Sequence, residues 1–220
     1  LWHIMTHYSK YGFNNFIIAL GYKGEKIKEY FLNFNNLNSD LEINLKSGKI
    51  KILNKHNNHW NIRLVDTGLN TLTGGRVKRL ENILKKENEF HLTYGDGVSD
   101  VNLTRLTQHH KKYKKTATVT AVHPQARFGE IEILKNGQVN SFAEKPQLKE
   151  GWINGGFFIF KKEIFKYIKN DKTILEREPL ENLTKNKKLT AFRHKGFWQC
   201  VDTRRDRDTL EKYLNEKKKI

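Results

Sequence analysis

Apolar positions along the chain switch between a two-residue and a helical spacing, and the alternation predicts an α/β protein. Residues 1–10 place Leu1, Ile4, Met5 and Tyr8 on one helical face. Residues 15–20 are a continuous apolar run, the kind of strand buried on both faces of a sheet. A helix over 24–34 groups Ile27, Tyr30 and Phe31. A short hairpin or paired edge strands are expected over 41–45 and 48–53, and another strand over 62–65. Residues 75–86 space Val77, Leu80, Ile83 and Leu84 for a buried helix face. Strand 90–94, helix 102–114 and the Thr/Val-rich strand 117–122 complete this half. Strands alternating with helices predict a parallel, doubly wound sheet.

The second half is richer in strands. Segments 129–134 and 138–142 flank Asn136-Gly137, a hairpin signal. Residues 154–160 are strongly apolar, 162–168 and 179–185 read as helices, 189–193 as a strand and 206–216 as a closing helix. With no repeat, linker or low-complexity block, the expectation is a single domain over 1–220 whose first residues start inside an element.

The formal net charge is +17. Such a charge admits a nucleic-acid binder. The lysines are scattered, however, around 111–115, 185–188 and 217–219, with no zinc-ligand set or RNA-binding aromatic signature. The reading is therefore a solvated basic surface that favours phosphorylated small molecules over a specific nucleic acid. No apolar run approaches the ~20 residues of a membrane span, and residues 1–5 carry no basic segment of a signal peptide. Cys200, the one cysteine, excludes an internal disulfide and fits a reducing, cytoplasmic compartment. Its apolar setting reads as a packed thiol rather than a nucleophile.

The candidate chemistry lies in short polar breaks between these elements. Asp96 sits in Tyr94-Gly95-Asp96-Gly97, a turn at the end of a strand, the edge where ligands of open α/β sheets gather. Asp202 ends a second short apolar segment. Two such carboxylates converging on one place suit a hard divalent cation carrying phosphate oxygens. Thr73-Gly74-Gly75-Arg76 opens a helix, where bare backbone and a guanidinium fork suit a phosphate; a plain helix entry is the alternative. Glu144 and Lys145 precede Pro146 and point to opposite sides of an extended chain, which suits one to sugar hydroxyls and the other to a phosphate; a surface charge pair is the alternative. Asn154 with Gly155 and Gly156 suits a hydroxyl-rich ligand, a simple β-turn being the alternative, and Phe128-Gly129 offers a backbone site.

Taken in order, Gly21-Tyr22-Lys23-Gly24, Val65-Asp66-Thr67-Gly68, Thr73-Gly74-Gly75-Arg76, Tyr94-Gly95-Asp96-Gly97, Phe128-Gly129, Glu144-Lys145-Pro146, Ile153-Asn154-Gly155-Gly156-Phe157-Phe158, Phe197-Trp198-Gln199 and Asp202-Thr203 span nearly the whole chain. The series resembles the sugar-phosphate nucleotidylyltransferases, and the cytidylyl branch in particular. The resemblance implies a Rossmann-like nucleotidyltransferase core with a mixed, mostly parallel sheet and an added sugar-binding β portion. It implies transfer of a cytidylyl group from CTP to α-D-glucose 1-phosphate, giving CDP-glucose and pyrophosphate for polysaccharide biosynthesis. By motif match, Asp96 and Asp202 would hold Mg2+. Thr71, Thr73, Gly74, Arg76 and Gly95 would line the nucleotide site. Gly129, Glu144, Lys145 and Asn154 would hold the sugar phosphate, with Arg76 and Lys145 acting in catalysis. Relatives of this kind assemble into homo-oligomers.

The resemblance begins after the family's opening strand, its Gly-rich Thr-Arg loop and the lysine that follows. If these 220 residues were the whole polypeptide, little or no turnover is expected; as part of a longer protein that carries the loop, the enzyme reading stands. Base choice depends largely on that loop, so UTP or dTTP remains open beside CTP. An inactive sugar-nucleotide-binding module remains open as well.

Overall fold

The computed structural model describes residues 1–54, 59–124, 130–143 and 151–217. In chain order its elements are α1 (Trp2–Ser9), β1 (Asn15–Leu20), α2 (Gly24–Leu32), α3 (Phe34–Leu37), β2 (Leu41–Asn44), β3 (Lys49–Ile52), β4 (Asn61–Asp66), α4 (Thr73–Arg79) and α5 (Glu81–Leu84). They continue with β5 (Glu89–Thr93), β6 (Gly97–Ser99), α6 (Leu103–Tyr113), β7 (Ala117–Val122), β8 (Glu130–Ile133), β9 (Val139–Ala143) and β10 (Ile153–Lys161). A 3-10 turn (Lys162–Tyr167), α7 (Glu178–Lys185), β11 (Leu189–Arg193), β12 (Trp198–Cys200) and α8 (Arg204–Lys217) close the chain. Among the described residues no helix is long and apolar enough to cross a membrane.

Two compact units form. The first comprises Leu1–Tyr11, Glu87–Ile164 and Leu180–Ile220; the second comprises Gly12–Lys86 and Phe165–Pro179.

The first unit is built on a four-stranded sheet in the order β11-β7-β10-β5. β10 supplies Phe157, Phe158, Ile159 and Phe160, all essentially buried. Consecutive buried residues on one strand require cover on both faces. Tyr8 of α1 stacks on Phe157 at 6.2 Å between ring centroids, and Phe90 lies against Phe160. α6 opens on Asn102, whose side chain accepts from the backbone N–H of Arg105 and so caps the helix. It closes on Lys114 in the left-handed region. Its buried His110 meets the Thr118 hydroxyl of β7 at 2.7 Å. The sheet is mixed, as expected, with β11–β7 parallel. The expected parallel majority does not hold in it, because β10 runs antiparallel to both β7 and β5. Two short antiparallel pairs, β6–β12 and β8–β9, lie in the same unit.

The second unit is organised by β1 and β4, which pair in parallel from Asn15↔Asn61 to Leu20↔Asp66. β1 occupies the span expected for it, yet only Leu20 is fully buried. Among the described residues β4 is its one hydrogen-bonded neighbour. β2 and β3 form the expected hairpin. The helix expected over 24–34 divides at Asn33, whose side-chain amide donates to the carbonyl of Glu29 and competes with the backbone ladder. The helix expected over 75–86 divides at Leu80. Its N–H bonds the carbonyl of Val77, a closure one residue tighter than an α-helix uses. Val77, Leu80 and Leu84 nevertheless share the buried face.

Candidate functional site

In the first unit the chemistry gathers where β6 meets β12. The ladder pairs Gly97 with Cys200, Val98 with Gln199 and Ser99 with Trp198. One further bond, from the Val201 N–H to the Asp96 carbonyl at 3.0 Å, extends it past the strand ends. Asp96 therefore lies across from Val201. Cys200 and Asp202, two apart on an extended chain, project to the same side of it. The donor atoms of Asp96, Cys200 and Asp202 all lie within 4.8 Å of one another, with both carboxylates exposed and the thiol half-buried.

The surroundings hold this arrangement from both ends. Asp206 accepts from the Asp202 N–H at 3.2 Å, and from the Thr203 N–H and hydroxyl at 2.9 and 2.8 Å. Thr203 Oγ1 accepts in return from the Asp206 N–H at the start of α8, a reciprocal capping pattern. At the far end His194 Nε2 lies 3.1 Å from an Asp100 oxygen and 3.2 Å from the Phe197 carbonyl. Phe197 stacks on Tyr213 of α8 at 3.6 Å, and Trp198 Nε1 donates to the Gly155 carbonyl at 2.8 Å.

Two carboxylates open to solvent fit a small hard cation that keeps several waters and takes phosphate oxygens as further ligands. The Cys200 thiol donates to Asp202 Oδ1 at 3.4 Å. Burial, followed by the charge of Asp96 and the contact with Asp202, pushes its pKa up to about 11. Without an ion it is therefore a neutral thiol at ordinary pH.

Gly95 borders this cluster, and a β-carbon added there would meet nothing within 4 Å, so the backbone is open to approach. Asn154 lies at the irregularity where β10 shifts register against β7. Its Nδ2 donates to the Tyr94 hydroxyl at 3.2 Å, and its Oδ1 accepts from the Gly156 N–H at 2.9 Å. Gly156 adopts φ +75°, and a β-carbon there would lie 2.5 Å from the Tyr94 ring, so glycine is required twice over. The bulge turns the Asn154 amide outward beside Tyr94. Gly129, Glu144 and Lys145 lie outside the described residues.

In the second unit the Thr73-Gly74-Gly75-Arg76 segment is tied to the protein itself. Thr73 Oγ1 donates to Glu176 and accepts from the Leu175 N–H. Gly74 and Gly75 press against the backbone of Thr173 and Asp171, where a β-carbon would collide. Arg76 Nη1 lies 3.0, 2.7 and 3.0 Å from Leu20 O, Thr67 Oγ1 and Gly68 O, while Nη2 reaches Leu69 O at 3.4 Å. The guanidinium covers Gly21 so closely that a side chain there would have to displace it. Thr71 is buried against Gly68, which adopts φ +85°. Arg79 forms a bidentate pair with Asp171 at 2.9 and 2.6 Å. A cavity of about 180 Å³ opens at the C-terminal ends of β1 and β4, lined by Leu20, Gly21, Gly24, Glu25, Lys28 and Asp66.

Three features escaped the reading of the sequence. Cys200, read as a packed thiol, stands beside the two carboxylates. The His194–Asp100 pair has no sequence signal. The Thr203-x-x-Asp206 spacing is a legible capping signal that marks what holds Asp202.

The nucleotidyl transferase family matches residues 1–207 of the chain. Glucose-1-phosphate cytidylyltransferase of Salmonella typhimurium is 45% identical over 211 residues, covering 96% of this chain and 82% of that protein. The probable glucose-1-phosphate cytidylyltransferase of Bacillus subtilis is 39% identical over 221 residues, covering 100% of this chain and 85% of that protein. Among solved structures, HddC from Yersinia pseudotuberculosis aligns with a TM-score of 0.65 at 20% identity, over 96% of this chain and 84% of that one. At that identity the likeness concerns the fold.

Proposed function

The chain belongs to the nucleotidyl transferase family, and we propose that it transfers the cytidylyl group of CTP to α-D-glucose 1-phosphate. A phosphate oxygen of the sugar phosphate attacks the α-phosphorus of CTP. The bond from that phosphorus to the bridging oxygen breaks, and pyrophosphate departs. The identity to cytidylyltransferases over nearly the whole chain supports the substrate pair. The observation that carries the chemistry is the convergence of Asp96 and Asp202.

A sugar phosphate is already a competent nucleophile, so the protein needs no activated side chain. Its task is to bring two polyanions together in line. Asp96 and Asp202 would hold Mg2+, which supplies charge screening for the phosphates when bound. In this reading Thr71, Thr73, Gly74 and Gly95 shape the nucleotide side. Arg76 holds the loop after β4 through Nη1, and Nη2, whose one hydrogen bond among the described residues is the long one to Leu69, would meet the nucleotide. Asn154 and Gly129 receive the sugar, Glu144 accepts from its hydroxyls and Lys145 meets its phosphate. A homo-oligomer in the cytoplasm completes the proposal. The exposed apolar residues Ile131, Ile133, Val139 and Phe142 of the β8–β9 hairpin support self-association.

The test is product formation by the purified protein from glucose 1-phosphate with CTP, UTP or dTTP, with and without Mg2+. CDP-glucose and pyrophosphate in equal amounts, dependent on Mg2+ and fastest with CTP, are expected. A higher kcat/KM with UTP or dTTP would reassign the base. Absence of both turnover and Mg2+-dependent CTP binding would refute the reading.

A further inference from the structure

We propose that Asp96, Cys200 and Asp202 together form an oxygen–sulfur–oxygen site for a thiophilic divalent cation, Zn2+ above all, which competes there with Mg2+. The inference rests on the reading that the two carboxylates hold Mg2+, and it adds a donor that reading does not use.

The backbone creates the site. The β6–β12 ladder sets Asp96 opposite Val201, and the two-residue period of the strand aims Cys200 and Asp202 to one side. All three donor atoms lie within 4.8 Å of one another. The Cys200 sulfur and Asp202 Oδ1 are 3.4 Å apart. Sulfur and oxygen ligands of a tetrahedral Zn2+ stand about 3.5 Å apart, given bonds of about 2.3 and 2.0 Å. Two of the three donors thus already have the spacing the ion requires. The Asp96 side chain is exposed, and its donor atom lies within 4.8 Å of both.

Chemistry supplies the selectivity. Mg2+ takes oxygen ligands in an octahedron and gains nothing from a sulfur neighbour. Zn2+ and Co2+ bind thiolate strongly and are satisfied by three protein ligands plus one open position. That position would hold water or a phosphate oxygen. The sulfur–metal bond forms as the thiol proton passes to solvent, with no change of oxidation state. A thiophilic ion so held would displace Mg2+ and leave fewer positions for phosphates, so trace Zn2+ would act as an inhibitor.

Cys200 is the one cysteine in the chain, so any thiolate signal belongs to it. Co2+ is the probe, read by its near-ultraviolet thiolate-to-cobalt charge-transfer band. Binding of Mn2+, followed by electron paramagnetic resonance, reports the carboxylates alone. The wild-type protein should show the band and lose it on addition of Zn2+. Mg2+ should remove it only in large excess. Cys200→Ser and Cys200→Ala should lack the band and bind Zn2+ at least about tenfold more weakly, in the range for loss of a metal-site interaction. Asp96→Asn should weaken Mn2+ and Co2+ alike. Mn2+ binding without a charge-transfer band in the wild type overturns the sulfur ligand and leaves the carboxylate site standing. Failure of both ions to bind overturns both. A band that persists in the Cys200 variants also overturns the proposal.

Discussion

Asp202 stands beside Asp96 because the residue between Cys200 and Asp202 donates its backbone N–H to the Asp96 carbonyl at 3.0 Å. A single main-chain bond beyond a three-residue ladder thus brings two carboxylates from distant parts of the chain within 4.8 Å. Replacing either acid with its amide keeps the shape and removes a charge. Asp96→Asn and Asp202→Asn should each lower kcat by about 10²–10³, the scale of a single electrostatic contact to a transition state. Unchanged circular dichroism would accompany a large rise in the Mg2+ concentration needed for half-maximal rate. Wild-type Mg2+ dependence in both variants would dismiss the metal assignment.

The His194–Asp100 pair closes the other end of the same ladder. Truncating His194 to Ala should cost about 1 kcal/mol, the value of an ordinary hydrogen bond. It should also raise the apparent Mg2+ constant, because the β6–β12 register sets the distance between the acids. Denaturant unfolding and Mg2+ titration of rate measure the two effects. A stability loss with no shift in the Mg2+ constant would restrict the pair to a structural role.

Arg76 is engaged by Leu20, Thr67, Gly68 and Leu69. A lysine carries the charge but has no planar fork to reach several acceptors at once. Arg76→Lys should therefore lose about 2 kcal/mol of stability, visible as a lower urea midpoint, besides any effect on CTP binding. An unchanged midpoint would mean that the guanidinium contacts contribute nothing net.

Two glycines provide a contrast. A β-carbon at Gly75 would run into the Asp171 backbone, whereas one at Gly95 meets nothing within 4 Å. Gly75→Ala should destabilise by about 1–3 kcal/mol, the cost of overpacking. Gly95→Ala should leave stability within about 0.5 kcal/mol while raising KM for CTP. Thermal melts and initial-rate kinetics of the two variants separate packing from ligand approach.

His91 carries a pH dependence. Burial first, and the neighbouring His110 second, lower its pKa to about 4. The unfolded chain, with a histidine pKa of about 6.5, binds the proton more readily. Stability is thus full above about pH 6.5 and declines as pH falls toward 4, by up to about 3 kcal/mol from this group. Urea midpoints between pH 7 and pH 4 should fall in the wild type and fall less in His91→Phe, which keeps the edge contact to Tyr8. Equal slopes would assign the acid sensitivity to other groups.

Much of this architecture was legible because local patterns were strong. The spans of β1, β7 and β11 match their apolar runs. The Asn136-Gly137 turn joins β8 and β9 as its residues demand, with Gly137 at φ +82°. Asp96 lies in the bend between β5 and β6 as its glycine neighbours imply. β6 was illegible because three residues carry no period. The antiparallel course of β10 was illegible because an apolar run records burial and not direction. The Thr73-Gly74-Gly75-Arg76 segment reads as an open cradle on paper. Its contacts with Leu20, Thr67 and the 171–176 segment come from residues that no local spacing connects to it.

Side-chain period, turn chemistry and the presence of two acids in Gly-flanked or apolar breaks belong to the sequence, since each depends only on neighbours a few bonds away. Which strands pair, in which direction, and what stands beside each acid were decided by the fold. Those outcomes arise from competition among contacts distant along the chain. The thiol of Cys200 beside Asp96 and Asp202 is the clearest case: its identity is local, and its chemistry depends on the register of a partner strand.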